Sequence, residues 1–150
     1  MVSREQLSQI KSFDSFFSLC QSLVENKDSV FESLFRIAIN NTGDGAHLMA
    51  GLALIAIEPE SNSSCDSLLK QIACSTWDLS DKSIPFYLAA QFGKFQVREA
   101  ISELIAPNEL GKDQLILIEG IKYWLSMPLA SLSEPLNYFE WQEVIESGNS

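Results

Sequence analysis

The segment Ser83–Leu104, SIPFYLAAQFGKFQVREAISEL, constrains the fold more than any other stretch, because it spells two short helices joined at one glycine. Ser83 stands as an N-cap and Pro85 lies in the first turn, where a missing N–H has no intrahelical partner to lose. Phe86, Leu88, Ala89 and Phe92 follow along one stripe, and Gly93 supplies the left-handed conformation that stops the helix. Beyond it Val97, Ala100, Ile101, Leu104 and Ile105 recur at three and four, while Arg98, Ser102 and Glu103 fall on other faces until Pro107 closes the segment. Two amphipathic helices folded back this sharply bury their stripes against each other and against further helices.

The rest of the chain supplies those helices. Ser3–Asn26 reads as helical, with Leu7, Ile10, Phe13, Phe17, Cys20 and Val24 on one side and a break at Asp14. Asp28 caps the next helix, whose apolar face is Val30, Phe31, Leu34, Phe35 and Ala38, and the turn formers of Asn40–Gly45 make a loop. Ala46–Ile57 is apolar nearly all round, which predicts a helix in the middle of a stack, ended by Glu58-Pro59. Glu60–Ser64 is a polar linker to a helix carrying Cys65, Leu68, Leu69, Ile72 and Trp77. Lys112–Ser126 turns Leu117, Ile118, Ile121, Trp124 and Leu125 inward; Met127–Pro135 is a longer connection, and Leu136–Glu146 a last helix. Helix pairs therefore recur about every 35 residues, a period expected of helical repeats. The expected architecture is a single all-α domain over residues 1–150 of stacked antiparallel helical hairpins, a short α-solenoid, with an irregular globular helical bundle as the alternative.

Ile84-Pro85 and Leu88 in the first helix of the central pair, with Val97-Arg98-x-Ala100-x-x-x-Leu104 in the second, resemble a HEAT-like repeat, whose second helix carries a Val-Arg-x-Ala-Ala pattern. The turn departs from that pattern, since Gly93-Lys94 stand where an aspartate is common. The resemblance covers about 22 residues and bears on fold far more than on function. HEAT-like relatives include bilin-attaching lyases and alkylpurine DNA glycosylases, so what it implies beside a binding role is a lyase-type enzyme or a small-ligand chaperone.

Charge narrows these options. Ten basic residues against twenty acidic ones give a net charge of −10, and 46% hydrophobic residues make this a folded, soluble, acidic chain. Nucleic acid is excluded as a partner, because phosphate affinity needs clustered Lys and Arg, and the glycosylase option falls with it. Met1–Gln6 is polar and no apolar h-region follows, so no secretory signal is read. Leu48–Ile57, the longest uncharged apolar run, has ten residues where a membrane span needs about 20. An odd number of cysteines, three, without an export signal points to free thiols in a reducing cytoplasm.

No residue set is read as catalytic. His47, the single histidine, lies beside Asp44; the expectation is that Asp44 caps the helix beginning near Ala46 and that His47 is an exposed first-turn residue. Cys65 and Cys74 are nine apart, near opposite ends of one helix, and Cys20 has no partner at ligand spacing, so no metal and no cofactor are expected and the cysteines read as buried small hydrophobes. The acids fall in two runs without a Lys or Arg: Asp44, Glu58, Glu60 and Asp66, then Glu134, Glu140, Glu143 and Glu146. Tyr138-Phe139-Glu140-Trp141 places three rings in four positions, more than one helical stripe can bury, and Phe139 shares its face with Glu143. Aromatics rimmed by charge are enriched at binding hot spots, so Tyr138, Phe139, Glu140, Trp141 and Glu143 are the candidate binding residues. The function expected is a non-enzymatic protein–protein binding module, an adaptor or a small acidic stoichiometric inhibitor of the immunity type, facing a basic protein partner.

Overall fold

The computed structural model describes residues 2–128, and these form helices α1 (Arg4–Ser8), α2 (Phe13–Leu23), α3 (Lys27–Ala38), α4 (Ala46–Ile57), α5 (Cys65–Ala73), α6 (Ser83–Phe92), α7 (Lys94–Ile105) and α8 (Lys112–Leu125). A 3₁₀ turn over Val24–Asn26 joins α2 to α3, and no strand element occurs among the described residues. The chain is all-α.

α4 is the centre. Ten of its twelve residues are buried, and α1, α2, α3 and α6 all pack on it, as a helix apolar on every side requires. The second half is assembled on α6: it pairs with α7, and α8 packs on α5, α6 and α7. The two parts share one core. Phe31 stacks on Phe35 of its own helix at 5.4 Å and on Tyr87 of α6 at 5.5 Å, and the Tyr87 hydroxyl donates to the Pro59 carbonyl at the end of α4. Burying a side chain of this size contributes roughly 1.5–3 kcal/mol, provided that its polar tip finds a partner, as this one does.

The ends of the helices are set locally. Ser3 Oγ accepts from Gln6 N–H and Gln6 Oε1 from Ser3 N–H, a capping box. Ser12 and Ser64 cap α2 and α5 by accepting the Ser15 and Ser67 N–H groups, without the reciprocal bond; the N-cap of α4 is Gly45, and Asp44, expected as the cap, stands one residue before it and accepts the Ala46 N–H at 3.0 Å. Gly93 turns α6 into α7 with φ 84° and ψ 143°, positive in φ as expected but extended in ψ rather than left-handed helical. Lys94 and Arg98 of α7 then donate to the carbonyls of Met127 and Leu125, tying α7 to the end of α8.

Several local expectations shift. The first helix breaks at residues 9–12, not at Asp14, and the break resets its phase: Phe16, Leu19 and Cys20 are buried on α2 while Phe13, Phe17 and Val24 are exposed. Asp28 lies inside α3 and its carboxylate accepts the Glu60 N–H at 2.8 Å, linking α3 to the turn after α4. Trp77 belongs to the connection after α5 and is buried there. Ser83 is the first residue of α6, its hydroxyl bound to Asp81. The stripes of α7 and α8 are as read: Val97, Ala100 and Ile101, then Ile118, Ile121 and Leu125, are buried.

Candidate functional site

Tyr138, Phe139, Glu140, Trp141 and Glu143 lie outside the described residues, as does the acidic run from Glu134 to Glu146. The other run does not form one surface. Asp44 opens α4 and Glu58 closes it, so the two stand about 18 Å apart at 1.5 Å per residue. Asp44 is paired with Arg4 at 3.3 Å; the Ala46 N–H, the Thr42 hydroxyl and this guanidinium hold its carboxyl below the usual range.

Asp66 belongs to a different surface, a groove between α5 and α7. One part, of about 240 Å³, is lined by Asp66, Lys70, Ala100, Glu103, Leu104, Pro107, Glu109 and Leu110. A second, of about 230 Å³, adjoins it through Asp66, Ala100 and Glu103 and adds Ser64, Cys65, Gln96 and Glu99. Helical spacing produces the lining. Glu99 and Glu103 are four apart on α7, with Ala100 and Leu104 one residue on, so a carboxylate edge runs beside an apolar floor. The small Ala100 leaves room between the helices, and Asp66, in the first turn of α5, sits where a helix N-terminus favours a negative charge.

Four carboxylates face this groove against one ammonium, that of Lys70. Glu99 and Glu103 repel one another as like charges at four-residue spacing, by about 0.2–0.5 kcal/mol. Among the described residues no ion pair involves any of the four groove carboxylates. The groove is therefore an exposed, uncompensated acidic surface with an apolar floor. Such a surface attracts positive charge by Coulomb interaction and offers a small apolar group an area to cover.

Titratable groups cluster differently around the start of α4. His47 is buried, not exposed, because residues 75–82 fold over the N-terminal turn of α4; its Nε2 lies 3.2 Å from Asp78 Oδ2 and its Nδ1 is buried without a partner. Burial acts to raise the Asp78 carboxyl, but donors from Ser80 and His47 outweigh it and hold it below the usual range. Asp81, 6% exposed, accepts from the Ser83 N–H and hydroxyl at Oδ1, while Oδ2 has no partner; burial pushes its carboxyl up to about 6. Of the ring nitrogens of His47, Nδ1 is buried and Nε2 is engaged by Asp78.

The thiols divide. Burial pushes Cys20 up to about 11, and burial together with the Asp66 charge does the same to Cys65, which keeps both as neutral thiols. Cys74 is exposed, not buried as expected, and accepts from Gln114 Nε2 at 3.5 Å. No three metal-ligating side chains converge among the described residues, and no helix there is long and apolar enough to cross a membrane.

Of the groove residues, sequence reading singles out Asp66 as part of an acidic run and leaves Glu99 and Glu109 unremarked; the legible signal is the pair of glutamates four apart beside a small residue. Comparison of the chain with protein-family models, with curated proteins and with solved structures gives no match.

Proposed function

We propose that the protein is a non-enzymatic binding module that holds a basic segment of another protein, as an adaptor or a stoichiometric inhibitor, on a scaffold of stacked, HEAT-like helical hairpins. The observation that carries the reading is the groove between α5 and α7, where Asp66, Glu99, Glu103 and Glu109 stand without ion-pair partners over Ala100, Leu104 and Leu110. A Lys or Arg side chain entering there relieves the Glu99–Glu103 repulsion and lays its methylene stem on the apolar floor. The net charge of −10 adds long-range steering, effective over about 8 Å at physiological ionic strength. The same reading places the protein in the cytoplasm, which three free cysteines support.

The test compares two baits. Tagged wild type and Glu99→Lys/Glu103→Lys are used for affinity capture from native lysate at low salt, after far-UV circular dichroism has established equal helicity. A basic protein held in stoichiometric amount by wild type and lost from the double variant is expected. Equal recovery on both baits would move the binding surface elsewhere.

A further inference from the structure

In the described residues, the buried side-chain polar atoms left without a partner are His47 Nδ1, Trp77 Nε1 and Asp81 Oδ2. All three belong to one junction, where residues 75–82 lie against the first turns of α4. Buried polar atoms are almost always paired in folded proteins, so such a concentration calls for a physical explanation. The segment is held there from several sides. Asn41 N–H donates to the Thr76 hydroxyl at 2.9 Å, Trp124 Nε1 of α8 donates to the Leu79 carbonyl at 2.8 Å, and His47 binds Asp78. A methyl group added at Gly51 of α4 would meet Ser83 Oγ at 2.0 Å and Asp81 Oδ2 at 3.3 Å, which shows how closely the Asp81–Ser83 unit is pressed on that helix.

One carboxylate oxygen satisfied by Ser83 and the other buried bare is poor housing for a negative charge and adequate housing for a neutral acid. We propose that residues 75–82 form a pH-gated latch: Asp81, pressed against Gly51 of α4, seats the segment when its carboxyl is protonated and loosens it when ionised. This goes beyond the binding role and does not depend on the groove.

The direction follows from linkage. The Asp81 carboxyl in the closed protein titrates at about 6, above the roughly 3.9 of an exposed aspartate, so the closed state takes up the proton first. Closure is strengthened fully below about 4, and that gain is lost as pH rises through about 6. Two charged groups act on Asp81: His47 of α4, which favours its ionised form, and Asp78 of the same segment, which opposes it. The other neighbours of the segment bring Asn41, Gly120 and Trp124, none of which titrates, and Lys82 lies over the Trp124 ring, 5.5 Å from its centre.

Amide hydrogen exchange of the full chain, corrected for intrinsic rates, reads the latch directly. Opening of residues 75–83 should be about tenfold rarer at pH 5 than at pH 8, with α4 and α6 interiors changing less. In Asp81→Asn the opening should be equally rare at both pH values, and in His47→Gln the pH dependence should persist. Equal opening of the wild-type segment at both pH values would overturn the latch, as would a tenfold change retained in Asp81→Asn. Should that variant fail to fold, the Asp81 carboxyl carbon can be titrated by NMR in the unaltered protein: a midpoint near 6 is expected, and one near 4 removes the switch.

Discussion

Single residues decide how closely the elements approach, and two glycines make the point by contrast. At Gly51 the space for a Cβ is taken by Ser83 Oγ, 2.0 Å away, and by Ser83 Cβ at 3.0 Å, next to the backbone of α6. The hydroxyl cannot turn aside without giving up its bond to Asp81. Gly51→Ala should therefore destabilise by about 1–3 kcal/mol in urea unfolding, even though alanine is the better helix former by about 1 kcal/mol. At Gly120 of α8 a Cβ would meet Leu79 Cδ2 at 2.4 Å, but Leu79 is exposed and its tip can swing away, which leaves Trp77 at 3.3 Å. Gly120→Ala should cost clearly less than Gly51→Ala. Equal costs would mean that the Asp81–Ser83 unit gives way as easily as an exposed leucine. None of this is legible in the sequence, where His47 reads as an exposed first-turn residue: its burial depends on residues 75–82, some thirty positions later, folding back over α4.

At the scale of elements, sequence and structure agree wherever a helix is long and uninterrupted. The stripes of α7 and α8, the all-round apolar character of α4 and the hinge at Gly93 follow from spacing alone, because each is fixed within one or two turns of chain. The reading fails at junctions. A single stripe drawn from Leu7 to Val24 crosses the break at residues 9–12, and beyond it only Cys20 stays buried, with Phe13, Phe17 and Val24 outside and Leu19 inside. Caps fail too: Asp28 accepts the Glu60 N–H, more than thirty residues on and outside any local pattern, and Ser83 bonds the Asp81 carboxylate just before it instead of capping α6. Gly93 offers the clean test of an element-level claim. Its φ of 84° with ψ 143° suits glycine alone, while no atom lies within 4 Å of where a Cβ would stand. Gly93→Ala should lower stability by about 1–3 kcal/mol through backbone strain alone, with helix content unchanged by circular dichroism. Unaltered stability would show that the α6–α7 turn relaxes into an ordinary conformation at no cost.

For the molecule as a whole, the groove was the least legible feature, since periodicity says that Glu99, Glu103 and Asp66 point outward but not that the outward faces of α5 and α7 meet. The acidic composition is readable at once, and the fold decides where that acidity is concentrated and where it is neutralised. Asp44 is matched by Arg4, whereas the groove is left unmatched over an apolar floor. NMR mapping tests most directly whether this charged groove is the binding surface, as proposed. The protein retained by the wild-type bait is added to the isotope-labelled chain at low and at physiological salt. Amide shifts should concentrate in residues 64–70, 96–104 and 107–110 and weaken with salt. Shifts confined to other surfaces, or unaffected by salt, would contradict the proposal.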